Sequence, residues 1–88
     1  MPDSYIPKNI TASTTIKPAH GIVRAIYCIK AGAAGSKVEI RDGTLDTDPV
    51  VFYLLGENIN SASRVNARCG TGVRATVTTG GEYLIVYE

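Results

Sequence analysis

Tryptophan is missing from this 88-residue chain, and phenylalanine, methionine and histidine each occur once. The shortage of large aromatic rings weakens any reading as a carbohydrate-binding or receptor-binding module, and no strand interleaves aromatics with basic residues as an RNA-binding sheet does. A single histidine, His20, rules out a two-histidine metal site and has no Ser or Cys at a nucleophile spacing. The two cysteines, Cys28 and Cys69, lie far apart with no CxxC or Cys/His pattern, so no metal site and no cofactor is expected. Charge of one sign is also lacking: the net charge is +1 and the nine Lys and Arg form no run. The long-range attraction that nucleic acid or anionic lipid needs is therefore absent. No stretch approaches the ~20 apolar residues of a membrane span. Met1-Pro2-Asp3-Ser4-Tyr5 carries neither a basic nor an apolar leader region, so no signal peptide is expected. A chain kept in the cytoplasm would hold both cysteines as thiols, and whether the fold pairs them is open at this stage.

What is present reads as one small domain. A chain of this length buries roughly 60–65% of the surface its unfolded form exposes, a thin margin that oligomerisation or docking would improve. Nine Gly and four Pro among many Thr and Val favour strands and tight turns.

Residues 1–19 read as an extended N-terminal arm, because Pro2, Pro7 and Pro18 exclude a helix across most of it. Within it Ile10, Ala12, Thr14 and Ile16 share one parity, a strand signal compatible with an edge strand, with pairing to a neighbouring molecule, or with a poorly ordered terminus. Residues 20–88 read as a β-sandwich domain. Ile22–Lys30 is a strand with Val23, Ala25, Tyr27 and Ile29 on one face. Ala31 to Gly35 breaks it, and Ser36–Arg41 returns with Val38 and Ile40 inward. Asp42-Gly43 is a hairpin dipeptide, continued by Asp46, Asp48 and Pro49. Val50–Leu55 follows, then a polar stretch, Glu57 to Ser63, read as a loop with room for a short helical turn. Arg64–Cys69, Val73–Thr78 and Tyr83–Tyr87 complete the set. The expectation is an all-β fold: a small antiparallel β-sandwich or jelly-roll-like domain of six to seven strands.

Two strands, Val50–Leu55 and Tyr83–Tyr87, are apolar on both faces although no helix is available to cover a second face. The cover is either the chain itself, through the arm or a barrel-like interior, or another protein molecule. Candidate interface residues are Tyr5, Ile6, Ile10, Ile16, Phe52, Tyr53, Tyr83 and Tyr87, with the tyrosines offering large contact area and one polar handle each.

Other motifs fail on spacing or order. Gly32-Ala33-Ala34-Gly35-Ser36-Lys37 has two residues where a phosphate-binding loop needs four, and runs into a strand. Asp42, Asp46 and Asp48 lack the calcium-loop spacing and its closing Glu. Asn9-Ile10-Thr11 matches a glycosylation acceptor, which is read as a chance match because no secretory leader is expected. Arg64, Arg68 and Arg74 could form a small basic stripe across two adjacent strands, which a solvated outer face also explains. No acid–base pair is identifiable, so no catalytic residue is assigned and no enzyme is expected.

His20-Gly21-Ile22-Val23, a glycine turn, Ser36 to Thr44, the apolar Val50–Leu55, Gly72 to Thr78 and the terminal Tyr83 to Glu88 together resemble a group of small tailed-phage virion structural proteins. The resemblance spans about residues 20–88 and leaves out the arm. It implies a β-sandwich or jelly-roll-like module without catalytic residues, made in the host cytoplasm and built into the virion. The implied place is the capsid exterior, as a cement or decoration protein that binds the major capsid protein or another virion protein. Homo-oligomers are expected, trimers at three-fold positions and dimers at two-fold ones. A neck, tail or baseplate component, or a ligand- or carbohydrate-binding module, is the alternative.

Overall fold

A computed structural model of the protein describes residues 6–56 and 62–88. These residues form eight strands: β1 (Ile6–Ile10), β2 (Thr14–Lys17), β3 (Gly21–Lys30), β4 (Lys37–Asp42), β5 (Val50–Leu55), β6 (Ala62–Cys69), β7 (Val73–Thr78) and β8 (Glu82–Tyr87). They build two four-stranded antiparallel sheets, ordered β1-β8-β3-β6 and β2-β7-β4-β5. The expected six to seven strands are thus eight, because the stretch read as an arm supplies two. Tyr5 and the rest of residues 1–5 lie outside the described residues, as do residues 57–61 of the expected Glu57 to Ser63 loop; its last two positions already belong to β6.

Pairing follows one rule along the whole chain. β1 pairs β8, β2 pairs β7, β3 pairs β6 and β4 pairs β5. Ile6 lies opposite Tyr87, Thr14 opposite Ala75, Gly21 opposite Cys69 and Lys37 opposite Leu55. The polypeptide is therefore a single antiparallel ribbon, doubled back at residues 43–49 and wound so that β3 also meets β8 and β4 also meets β7. Only the β4–β5 connection stays within a sheet. The Gly80-Gly81 turn is accordingly a crossing between layers.

The two layers enclose one core of Ile10, Ile16, Val23, Ile26, Cys28, Val38, Ile40, Cys69, Val73, Ala75, Tyr83 and Ile85. Simple alternation puts Val38 and Ile40 of β4, and Tyr83 and Ile85 of β8, on that inner face. In β3 alternation fails. A register shift between Val23 and Ala25 inserts one residue, so that Val23, Ile26 and Cys28 face inward. Tyr27 and Ile29, which strict alternation pairs with Val23, are turned out to solvent.

Ile10 enters the core from one sheet and Ile16 from the other, the three-residue connection between β1 and β2 carrying the chain around the end of the sandwich. Burial of each contributes roughly 1.5–3 kcal/mol. Cys69 lies opposite Gly21, and Cys28 is seven residues further along β3, so the thiols are roughly 20 Å apart at strand rise and cannot pair. Both are free and buried.

Candidate interaction surface

The sandwich has four exposed edge strands, β1 and β2 on one flank and β6 and β5 on the other. Three carry features that discourage pairing with another chain. β1 contains Pro7, which removes a donor, and Lys8. β2 is four residues long with a register shift before Lys17. β6 presents the exposed Arg64 and Arg68 and is out of step with β3 midway. β5, Val-Val-Phe-Tyr-Leu-Leu, has no charge, no proline and no glycine.

Phe52 and Leu54 of β5 point inward and pack against the core. Val51, Tyr53 and Leu55 point outward and are 41%, 57% and 56% exposed. The Gly56 amide donates to Ser36 O at 2.8 Å, which makes Ser36 and Gly56 a hydrogen-bonded pair. Stepping back along the antiparallel ladder, Leu54 and Phe52 turn their main-chain groups to β4, whereas Tyr53 and Leu55 turn theirs to the open edge. On its other side the apolar stripe is bounded by Lys37, Glu39 and Arg41 of β4. Glu39 holds Lys37 at 3.6 Å and Arg41 at 3.3 Å. The outer face of this sheet is thus an apolar strip one strand wide, with a charged row behind it and, among the described residues, no strand paired in front.

β8 is equally apolar on both faces but occupies a central position. Its outward Leu84 lies between Asn9 and Tyr27, and Val86 lies between Pro7 and Ala25, so both are half-buried by neighbours in their own sheet. Position in the sheet, rather than strand composition, decides which of the two doubly apolar strands is left uncovered.

The expected interface residues are accordingly divided. Ile10, Ile16 and Tyr83 are buried in the core, so the folded chain does not present them to a partner. Phe52 and Tyr87 are half-buried against that core. Ile6 and Tyr53 are exposed but lie on opposite flanks, on β1 and β5. Val51 and Leu55, which complete the β5 stripe with Tyr53, were legible only as members of an apolar run. Tyr27 and Ile29 were hidden by the β3 bulge.

The acidic loop after β4 is used internally. Asp48 Oδ2 accepts hydrogen bonds from the amides of Thr44 and Leu45, both at 2.9 Å. A Cβ on Gly43, whose φ is 149°, would lie 1.9 Å from that oxygen. Asp42 Oδ1 accepts from the Thr71 amide at 2.8 Å, which holds its carboxyl below the usual range, and Asp46 binds Arg74 at 2.7 Å. Among the described residues no cluster of three or more His, Cys, Asp or Glu side chains could hold a metal. The three arginines do not form one stripe, because Arg64 and Arg68 belong to one sheet and Arg74 to the other.

Neither thiol is poised to react at neutral pH. Burial pushes Cys28 up, and burial together with the charge of Asp42 pushes Cys69 up to about 11. A shallow depression of about 390 Å³ opens on the outer face of the β1-containing sheet where β3 and β6 fall out of register. Tyr27, Arg64 and Val86 line it, together with Arg24 and Asn66, which are already bonded to each other at 2.7 Å. Arg24 also pairs with Glu88, so this face is tied down by its own side chains.

Comparison with known proteins finds no matching family model, no matching curated protein and no matching solved structure.

Proposed function

We propose that the protein is a non-enzymatic structural module that acts by protein–protein contact, built into a tailed-phage particle as a capsid cement or decoration protein. One observation carries this reading: β5 leaves an uncharged sheet edge, straight from Phe52 to Leu55, and an apolar stripe of Val51, Tyr53 and Leu55 open, on a molecule whose other three edges carry features that discourage pairing. Such an edge takes up a further strand, with main-chain hydrogen bonds supplying affinity and alternate side chains supplying specificity. Two further features support it. The wound ribbon, ordered β1-β8-β3-β6 over β2-β7-β4-β5, has the strand plan of a jelly roll, an architecture used by viral capsid and lectin domains. Residues 20–88 also carry the pattern that resembles small virion proteins. A fold alone assigns no role, which is why the open edge and not the winding bears the weight.

On this reading the major capsid protein or another virion component is the partner, and the contact cross-links neighbouring subunits. The test is direct. Particles purified from the phage that carries this sequence should contain the chain in a fixed ratio to the major capsid protein. Particles assembled without it should release DNA at a lower temperature. Purified particles that lack the chain would overturn the virion role.

A further inference from the structure

We propose that the β5 edge is a homodimer interface in which two copies of the chain pair β5 with β5 antiparallel, the two-fold axis passing at Tyr53. The inference rests on the reading of β5 as a docking edge and names its occupant.

The choice of a second copy comes from the strand's self-complementarity. A two-fold contact requires that the residues meeting across the axis suit one another when the sequence is read in both directions. With Tyr53 opposite the partner's Tyr53, Val51 meets the partner's Leu55 and Leu55 meets the partner's Val51 on the outer face. Phe52 meets the partner's Leu54 on the inner face. Every facing pair is apolar, and no like charges oppose one another within β5.

The hydrogen-bond phase fits the same register. Tyr53 and Leu55 turn their main-chain groups to the open edge, as the Ser36–Gly56 pair dictates. In an antiparallel pair, residues whose groups face across the gap exchange both bonds with the residue opposite. Tyr53 can therefore exchange two bonds with the partner's Tyr53. A register one residue out would set an outward-facing residue against an inward-facing one and lose these bonds. The irregularity of β5 inserts Val51, which lies between Phe52 opposite Ile40 and Val50 opposite Arg41, so the backbone bonds of the pair come from the straight segment Phe52 to Leu55 and Val51 contributes side-chain contact.

The product is one continuous eight-stranded sheet shared by two molecules, with the stripes of Val51, Tyr53 and Leu55 merged into a single apolar patch. Five residues a side, Val51 to Leu55, bury less than the ~1,200 Å² of a standard interface, so the dimer forms at about 10 µM to 1 mM in free solution. On the same flank β6 presents Arg64 and Arg68, which are exposed. Association is therefore driven by apolar contact and backbone bonding against some like-charge repulsion, and added salt should leave it unchanged or tighten it.

Sedimentation across micromolar to millimolar concentration tests the proposal. The wild-type chain should pass from monomer to dimer, and Tyr53→Lys should remain monomeric while keeping the wild-type far-UV spectrum. Tyr53→Cys supplies a second readout. Cα atoms of a hydrogen-bonded antiparallel pair are ~5.5 Å apart, within disulfide reach, so mild oxidation should link two copies covalently. Leu45→Cys, on the exposed loop tip, is the control. A wild-type chain that stays monomeric at millimolar concentration, with Tyr53→Cys linking no faster than Leu45→Cys, overturns the dimer. So does an oligomer that Tyr53→Lys leaves intact. Either result leaves the virion role to be decided by the composition of particles.

Discussion

Gly56 ends β5 at a point where the backbone is sealed from three sides. Its amide donates to Ser36 O, its carbonyl accepts from the Gly32 amide at 3.0 Å, and its Cα faces the phenol of Tyr83. A Cβ there would lie 1.8 Å from Tyr83 Oη. Tyr83 is wholly buried, so its ring has nowhere to retreat. Among the described residues its hydroxyl and that of Ser36 make no well-formed hydrogen bond, and burial raises the phenol's pKa. Two substitutions at this one contact should therefore act in opposite ways. Gly56→Ala forces overpacking against the buried ring of Tyr83 and should cost about 3 kcal/mol, lowering Tm by roughly 12–24 °C for a domain this small. Tyr83→Phe removes a polar atom that folding strips of water without repaying it, and should change stability by less than ~1 kcal/mol or raise it. Thermal melts of both variants check the pair, and a Tyr83→Phe loss as large as that of Gly56→Ala would show that the hydroxyl is bonded after all.

Among the elements, β1 and β2 show where sequence reading succeeds and where it stops. Period-two alternation made Val38 and Ile40 legible as core, because each sits in a regular strand with one wet face. The span Val50–Leu55 was also legible to the residue. Pro7 and Pro18 exclude a helix from residues 6–19, which are extended, yet the same prolines made two edge strands read as an extended arm. Proline is compatible with an edge strand as well as with an extended tail, and only the partner strands β8 and β7 distinguish them. The β3 bulge was invisible for a similar reason, since one extra residue changes no composition but exchanges Tyr27 for Ile26 at the core. For the candidate site the apolar run was legible, whereas edge against centre, which separates β5 from β8, is a property of pairing. The consequence is testable by truncation. Deleting residues 1–17 removes Ile10 and Ile16 from the core and uncovers the edges of β8 and β7. At roughly 1.5–3 kcal/mol per buried side chain, plus two lost ladders, the deletion exhausts the ~5–15 kcal/mol that holds a domain together. The truncated chain should lack amide dispersion by NMR and should aggregate, and a folded, soluble product would mean that β1 and β2 only decorate a self-sufficient core.

At the scale of the whole molecule, winding one ribbon into two sheets imposes an order on folding. Ile10 and Tyr83 are in contact register although 73 positions separate them, whereas Asp42 and Pro49 are bonded across the loop of residues 43–49. Closing the longer loop from the open chain costs about 2 kcal/mol more in entropy than closing the shorter one. Once β4 and β5 have met, however, β3 and β6 are held near each other, and each pairing shortens the closure required by the next. The ribbon should therefore form from its tip, with the ends of the chain joining last, and the dominance of non-local pairing places the rate in the millisecond-to-second range. The clamp at the tip is Asp48, which receives the amides of Thr44 and Leu45 and whose own carbonyl accepts from Arg41 Nη1 at 2.7 Å. Asp48→Ala should destabilise by roughly 1.5–3 kcal/mol, as for hydrogen bonds to a charged group, and most of that loss should appear as slower folding, with φ above about 0.5. Ile10→Ala should cost about 2–5 kcal/mol and appear almost wholly as faster unfolding, with φ below about 0.3. Chevron plots of the two variants decide the matter. High φ at Ile10 with low φ at Asp48 would mean that the sandwich nucleates by joining its termini, in which case the doubled ribbon describes the finished fold but not the route to it.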